Sequence, residues 1–484
     1  MKSVINNKFS KANFSFTAFA LILSGSLLLH SCKKLIEVDL PINRNTNETV
    51  FANTSTAVAA MNSIYSSIGA ISPFVGNSGI SIRSAVMADE LSSIIPETDP
   101  EYLNNYTGSE GWNIWLMAYK EPIYRINSIL ENISRSTTLP NRTKQIVTGE
   151  AKFCRAWLYF YLVNLYGDIP LVLGTDFNIN SSIARSPIEV VYQQIEKDLV
   201  DAQQLLVEGY LDKDLVTSTN ERIRPNKAAA TALLARVYLY REKWQQAETE
   251  ATKVISNGNF ELLPDPDQVF LKNSTESIWQ LQPNILDGDG QNTPDGRFLI
   301  NPYGGAPLYY ISSQLLAAFE PNDQRQNKWI ILSPSGIVIP YKYKEGWATT
   351  EQKEYTTVLR IAEQYLIRAE ARAQQNKLTG SNSAETDLNA IRNRAGLPNT
   401  TAITQSDLLT AIAKERQVEL FLEWGDRWFN LKRTGKINDV MSIVTPLKGG
   451  TWIPYKALLP IPYEEFNYNP ALRGHQNPGY QEQP

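Results

Sequence analysis

Histidine and cysteine are nearly missing from this 484-residue chain, with two of each. Zinc sites built on His and Cys, iron–sulfur clusters and disulfide frameworks all need more such ligands than exist here, and are excluded. A basic block is also lacking. With 46 Lys and Arg against 50 Asp and Glu, the formal charge is −4, which argues against nucleic acid as a partner, because that binding rests on clustered cations neutralising phosphates. No Gly-rich phosphate loop, nucleophile elbow or His-Glu-x-x-His motif occurs. Beyond the amino terminus no apolar stretch approaches the roughly 20 residues a membrane span requires. Hydrophobic residues make up 43 % of the chain, enough to exclude wholesale disorder. Aromatic rings are the surplus, with 10 Trp and 23 Tyr, side chains that join an apolar face to a polar handle.

Residues 1–31 hold Lys2, Lys8 and Lys11 and no acid, followed by the apolar run Phe14 to Leu29. A basic segment and an apolar run of about 16 residues form a secretory signal too short to span comfortably. The run closes on Leu29-His30-Ser31-Cys32, the spacing of a bacterial lipobox. Cleavage before Cys32 and lipidation on it are therefore expected. Several acyl chains anchor a protein stably at a membrane, where a single one does not. Cys154, set among Phe153, Ala156, Trp157 and Phe160, is expected to be a buried, inert thiol.

The body reads as helices. Thr54–Ile71 places Val58, Met61, Tyr65 and Ile68 on one stripe, and Trp112–Ile133 continues in the same way through Trp115, Tyr119, Ile123, Ile126 and Ile129. Glu150–Tyr166 is apolar on most sides and stops at Gly167, while Val190–Leu206 follows Ser186-Pro187. In Asn226–Asn257 the residues Ala235, Tyr238, Trp244, Ala247 and Ala251 have tetratricopeptide spacing, small residues letting two antiparallel helices approach. The pattern recurs loosely at Leu359–Ala373 and Ala384–Arg394. Between these segments, residues 258–355 are crowded with Pro and Gly, and the short runs Ile278–Leu281 and Ile337–Ile339 read as strands. The expected architecture is thus all-α dominated: tetratricopeptide-like helical repeats with an inserted loop-rich subdomain containing short strands. The expected division is a signal at 1–31, a helical part at 32–257, a ligand-binding insertion at 258–355 and a second helical part at 356–484.

Glu415, Glu419 and Glu423 recur every four residues near Arg416 and Arg427. Two carboxylates about 5 to 9.5 Å apart can act as a glycosidase pair. Arginine neighbours lower carboxylate pKa, however, where a general acid needs it raised, so a structural ion-pair network is favoured. Asp287-Gly-Asp-Gly-Gln-Asn292 suggests a calcium loop, but Gln291 and Phe298 stand where the EF-hand places Asp or Asn and Glu; a Gly-rich turn wins, and no metal or cofactor is expected. The aromatics divide. Trp115, Trp157, Tyr159, Tyr238, Trp244 and Trp428 sit in helical patterns and read as core. Loop aromatics suit sugars, whose weakly apolar C–H faces need flat rings and whose hydroxyls need amides or charges. The candidate ligand-binding residues are Trp112, Tyr102, Tyr106, Trp279, Tyr303, Tyr309, Tyr310, Trp329 and Trp347, with Asp89, Asn113 and Asn301 as polar helpers.

An ordered set of segments resembles the SusD/RagB family of nutrient-binding surface lipoproteins: Glu150–Val172 (EAKFCRAWLYFYLVNLYGDIPLV), Asn226–Ala230 (NKAAA), Leu359–Ala371 (LRIAEQYLIRAEA), Leu388–Leu397 (LNAIRNRAGL), Glu415–Arg433 (ERQVELFLEWGDRWFNLKR), Leu459–Pro462 (LPIP) and Gln476–Tyr480 (QNPGY). They run across essentially the whole chain after Cys32. The resemblance implies a helical, tetratricopeptide-like fold lipid-anchored at the bacterial outer membrane and facing the cell exterior. It further implies docking as a lid on a SusC-like TonB-dependent transporter, to which a nutrient, commonly an oligosaccharide, is presented without catalysis. The residues leave open a peptide-binding protein of the same fold, a surface glycosidase, and a tetratricopeptide adaptor that binds only protein.

Overall fold

A computed structural model describes residues 47–70, 73–108, 114–283, 291–300, 306–346 and 351–482. Cys32, Trp112, Asn113, Asn301, Tyr303 and Trp347 lie outside them, as does the Asp287 turn up to Gly290. Residues 47–484 form one compact unit. The main helices are α1 (Thr54–Gly69), α2 (Ile80–Met87), α3 (Tyr124–Arg135), α4 (Asn141–Tyr166), α5 (Ile188–Leu205), α6 (Lys227–Tyr240), α7 (Trp244–Ile255), α8 (Ile361–Gln374), α9 (Ala384–Arg394), α10 (Gln405–Glu419) and α11 (Asp426–Arg433). Short strands are β1 (Leu91–Ser93), β2 (Ser277–Leu281), β3 (Tyr309–Ile311), β4 (Ile330–Leu332), β5 (Val338–Pro340) and β6 (Thr356–Arg360). They pair two by two, antiparallel, as β1 with β3, β2 with β6 and β4 with β5.

The helices stack in sequence: α4 on α5, α5 on α6, α6 on α7, α7 on α8, and α8 on α9 and α10. Alanine makes the close approach. Ala235, Ala247, Ala251 and Ala371 are fully buried together with Leu239 and Ile367, while Tyr238 and Trp244 only lean on that cluster, half-buried. Asn226 caps α6 by accepting from the Ala229 N–H at 3.0 Å. Gly167 ends α4 at φ +75°, a conformation that favours glycine, and donates to the Val163 carbonyl.

The stripe from residue 112 is not one uniform helix. A turn of π-helix at Tyr119–Ile123 separates Ile114–Ala118 from α3. Pro122 lies inside that turn, and its missing N–H and its ring are incompatible with a regular α ladder. Ser186 does not cap α5: Pro187 takes the cap position, and Asp168 accepts from the Ile188 N–H at 2.9 Å.

The excursion between α7 and α8 is closed by the β2–β6 pair, and β6 runs directly into α8. Every residue of β2 and β6 is buried. A second apolar cluster joins this excursion to its flanks: Phe270, Trp329, Tyr343 and Leu315 pack with Ile82, Val86 and Leu91 from the amino-terminal part and with Val418, Phe421 and Leu422 from the carboxyl-terminal part. Among the described residues no helix is long and apolar enough to cross a membrane.

Candidate functional site

Strand pairing brings several of the sequence candidates together. Ser92 stands opposite Tyr310 and Ser93 opposite Tyr309, and successive strand residues face opposite ways. Tyr309 therefore points inward, where its hydroxyl donates to Asp99 at 3.1 Å and Arg83 lies 5.9 Å from its ring. Burial pushes the Tyr309 hydroxyl well above its ordinary pKa. Tyr310 points outward and is half-buried. Tyr102 packs behind the strands, 8 % exposed, with the Lys448 ammonium 5.0 Å from its ring. Exposed Ile94 and Ile95 continue the surface beside β1.

The other described candidates are structural. Trp279 is 0 % exposed on β2, edge-on to Phe153 at 4.9 Å and to Trp157 at 6.1 Å, and its indole N–H donates to the Ile223 carbonyl. Trp329 is equally buried, packed on Phe270 and donating to the Pro266 carbonyl at 3.0 Å. The expectation that these two rings meet ligand is thus corrected: Pro and Gly make the chain around them irregular, yet an irregular chain still contributes its rings to the core. Tyr106 is buried, bonded to the Lys456 carbonyl, with its ring beside Tyr480. Asp89 is buried in an ion pair with Arg427, at 2.6 and 2.7 Å, so it is no free hydroxyl acceptor. Of the described candidates, Tyr310 alone keeps substantial exposure.

Beside Asp89, Glu90 is 1 % exposed. Burial, and then Asp89, push its carboxyl up to about 8, against the Leu422 N–H, Arg427 and Lys342. A carboxyl raised in the fold contributes stability that is complete below its ordinary value of 4.5 and is lost as pH climbs through about 8. Glu90→Gln removes that dependence. Thermal unfolding from pH 4.5 to 9 is expected to show the variant gaining on the native chain as pH rises, and a constant gap would contradict the assignment.

The carboxylates of α10 and its carboxyl end form a buried ionic network. Glu419 accepts from Arg360 at 2.6 Å, from Arg325 at 2.8 Å and from Arg394. Glu423 accepts from Arg360 and Lys342, and Glu415 pairs with Arg325 at 2.6 Å and Arg392 at 3.3 Å. Burial alone would raise the Glu419 carboxyl, but Arg394, Arg360 and Arg325 outweigh it and hold the group well below the usual range. Glu423 is lowered likewise by Arg360 and Lys342 against burial, whereas for Glu415 burial wins over Arg325 and the carboxyl is raised. Glu415 and Glu419 are 2 % and 0 % exposed, so neither can reach a glycosidic bond.

A large hollow lies elsewhere, among residues that the sequence pattern does not single out. It is a groove of about 600 Å³ between Leu116–Tyr124, Pro170–Ser181 and Glu464–Asn469. Three rings on it face solvent: Tyr124 at 50 %, Phe177 at 78 % and Tyr468 at 69 % exposure. A second hollow of about 380 Å³ is lined by Tyr65, Asp212, Lys213, Glu221 and Arg224 among others, and other voids of about 10 to 20 Å³ hold at most a water molecule.

Comparison with known proteins decides the family. A profile described as "Starch-binding associating with outer membrane" matches residues 81–239, and one described as "SusD family" matches residues 317–480. The chain belongs to the SusD/RagB family. The SusD-like protein P2 of Formosa agariphila is 28 % identical over 520 positions, covering 94 % of this chain and 98 % of that protein. A SusD-like protein of Bacteroides ovatus is 25 % identical, covering 63 % and 62 %. In fold, the chain is similar to a laminarin binding SusD-like protein, with a TM-score of 0.74 and 24 % identity over 88 % of this chain and all of that one. It is likewise similar to surface glycan-binding protein A of Bacteroides thetaiotaomicron, with a TM-score of 0.72 and 19 % identity over 89 % of this chain and all of that one. The helix-dominated SusD-like architecture agrees with the fold class expected from sequence. In this SusD/RagB chain the β1–β3 surface offers one half-exposed ring, and the groove offers three.

Proposed function

We propose that this SusD/RagB protein captures carbohydrate without cleaving it, anchored to the outer membrane through a lipidated Cys32, and passes it to a SusC-like TonB-dependent transporter. The observation that carries this reading is the family match over both helical parts, with one profile described by starch binding and outer-membrane association. The locking of Glu415, Glu419 and Glu423 among arginines supports capture over hydrolysis. Tethering beside a transporter makes handover effectively intramolecular, so modest affinity is enough. We place ligand contacts at Tyr310 and, on sequence grounds, at Trp112, Asn113, Asn301, Tyr303 and Trp347.

The test is calorimetry with a panel of neutral and acidic oligosaccharides, followed by chromatography of the sugar. Bound and unchanged sugar is expected. Shortened sugar would make the protein a glycosidase, and binding of peptides with no sugar bound would transfer the same fold to peptide capture. Trp112→Ala and Trp347→Ala should each weaken the sugar that binds by about tenfold, the loss of one stacked ring of roughly 1.4 kcal/mol.

A further inference from the structure

The geometry points to a second carbohydrate site in the groove walled by Tyr124, Phe177 and Tyr468, separate from the residues assigned above and taking a short, uncharged oligosaccharide. This inference rests on the carbohydrate reading of the protein. None of the sequence candidates lines the groove among the described residues.

Its walls are held in place. Asn127 donates to the Val172 carbonyl at 2.9 Å, and Glu131 accepts from the Thr175 N–H at 2.9 Å and its hydroxyl at 2.8 Å, fixing the 170–181 segment on α3. The Tyr119 hydroxyl donates to the Pro170 carbonyl. Asp176 caps the short turn carrying Phe177, and Asn469 donates to the Ile183 carbonyl at 2.8 Å, tying the Tyr468 segment to the same wall. A groove built this way keeps its shape without ligand, which lowers the entropic cost of binding.

The lining fits a sugar. Its volume falls in the range of roughly 300–1,000 Å³ usual for small-molecule sites. Three exposed rings offer flat apolar faces, and a ring as bare as Phe177, 78 % exposed, adds little to the core. Between them stand side chains suited to hydroxyls: Asn180, Ser181, Thr175, Lys120 and Glu464. Lys120 is the one cation in a lining that also holds two carboxylates, Glu464 and Glu465, so the groove has no net attraction for an acidic sugar. The 380 Å³ hollow is a poorer match, because it is smaller and its one ring, Tyr65, is only half-exposed.

The experiment titrates the full mature protein and its F177A/Y468A and Y124A variants with maltoheptaose, laminarihexaose, xylohexaose and oligogalacturonate. The substituted side chains are exposed, so melting temperatures should match the native chain. For a neutral sugar that binds, F177A/Y468A is expected to weaken affinity about tenfold or more, or to halve the stoichiometry, while W112A leaves the groove event intact. Unchanged affinity and stoichiometry in both groove variants would overturn the second site and leave capture standing. Binding of oligogalacturonate in preference to the neutral sugars would overturn the ligand class. Absence of binding by the native chain to every sugar would overturn capture itself and this site with it.

Discussion

Replacing Glu419 by Gln is expected to lower the unfolding free energy by about 3–5 kcal/mol, the cost of leaving buried charge without its partner. Glu419 is fully buried and meets three guanidinium groups drawn from three places: Arg325 from the inserted region, Arg360 from the end of β6 and Arg394 from the end of α9. The amide keeps the volume and removes the charge, so the loss reports electrostatics rather than a cavity. The three arginines would then share Glu276, which already bonds Arg360 and Arg394, and Glu415, Glu423 and Asp323, each of which bonds one of them. Asp439→Asn is the control. Its pair with Lys436 is 3.3 Å long with both side chains about two-thirds exposed, and such pairs contribute about 0–1 kcal/mol. Urea unfolding of the two variants beside the native chain measures both. A loss below 1 kcal/mol for E419Q would mean that the remaining carboxylates or water neutralise the arginines, and that the network does not fasten the inserted region to the helices.

Sequence and structure agree on the helices of the repeat-like segments. Helices α6, α8 and α9 lie where the spacing of small residues puts them, and the three glutamates of Glu415–Glu423 do share one ion-pair network. Their partners were not legible, because Arg325, Arg360 and Arg394 are brought to Glu419 by tertiary folding across 94, 59 and 25 residues. Trp279 and Trp329 of the inserted region belong to the core for a different reason. Pro and Gly density predicts irregular backbone, and exposure does not follow from irregularity. Ile278-Trp279-Gln280-Leu281 belongs to a strand buried on both faces, and a short apolar run without alternation is the pattern such a strand leaves. The groove rings carried less signal. Tyr124 lies off the apolar stripe of Ile123, Ile126 and Ile129, on the outward phase of its helix, which was readable. Phe177 and Tyr468 sit on helices of four residues, too short for any period to show which way a ring points.

Trp279→Ala distinguishes a structural ring from a binding one. The side chain touches solvent nowhere and stands edge-on to Phe153 and Trp157, while Trp157 is in turn 5.2 Å from Trp424. These rings come from α4, β2 and the turn before α11, so removing the indole opens a cavity where three parts of the chain meet. Truncating a buried Trp costs about 3–5 kcal/mol, through lost transfer free energy and the void left behind, and here the Ile223 carbonyl also loses its donor. Trp279→Phe retains most of the packing and should recover more than half of the loss. If Trp279 held sugar, alanine would instead leave the denaturation midpoint in place and abolish binding. The expected pattern is the reverse: a midpoint lowered in urea, and unaltered affinity in the fraction that remains folded at low temperature. A variant as stable as the native chain but unable to bind would return this ring to the ligand and take it out of the core.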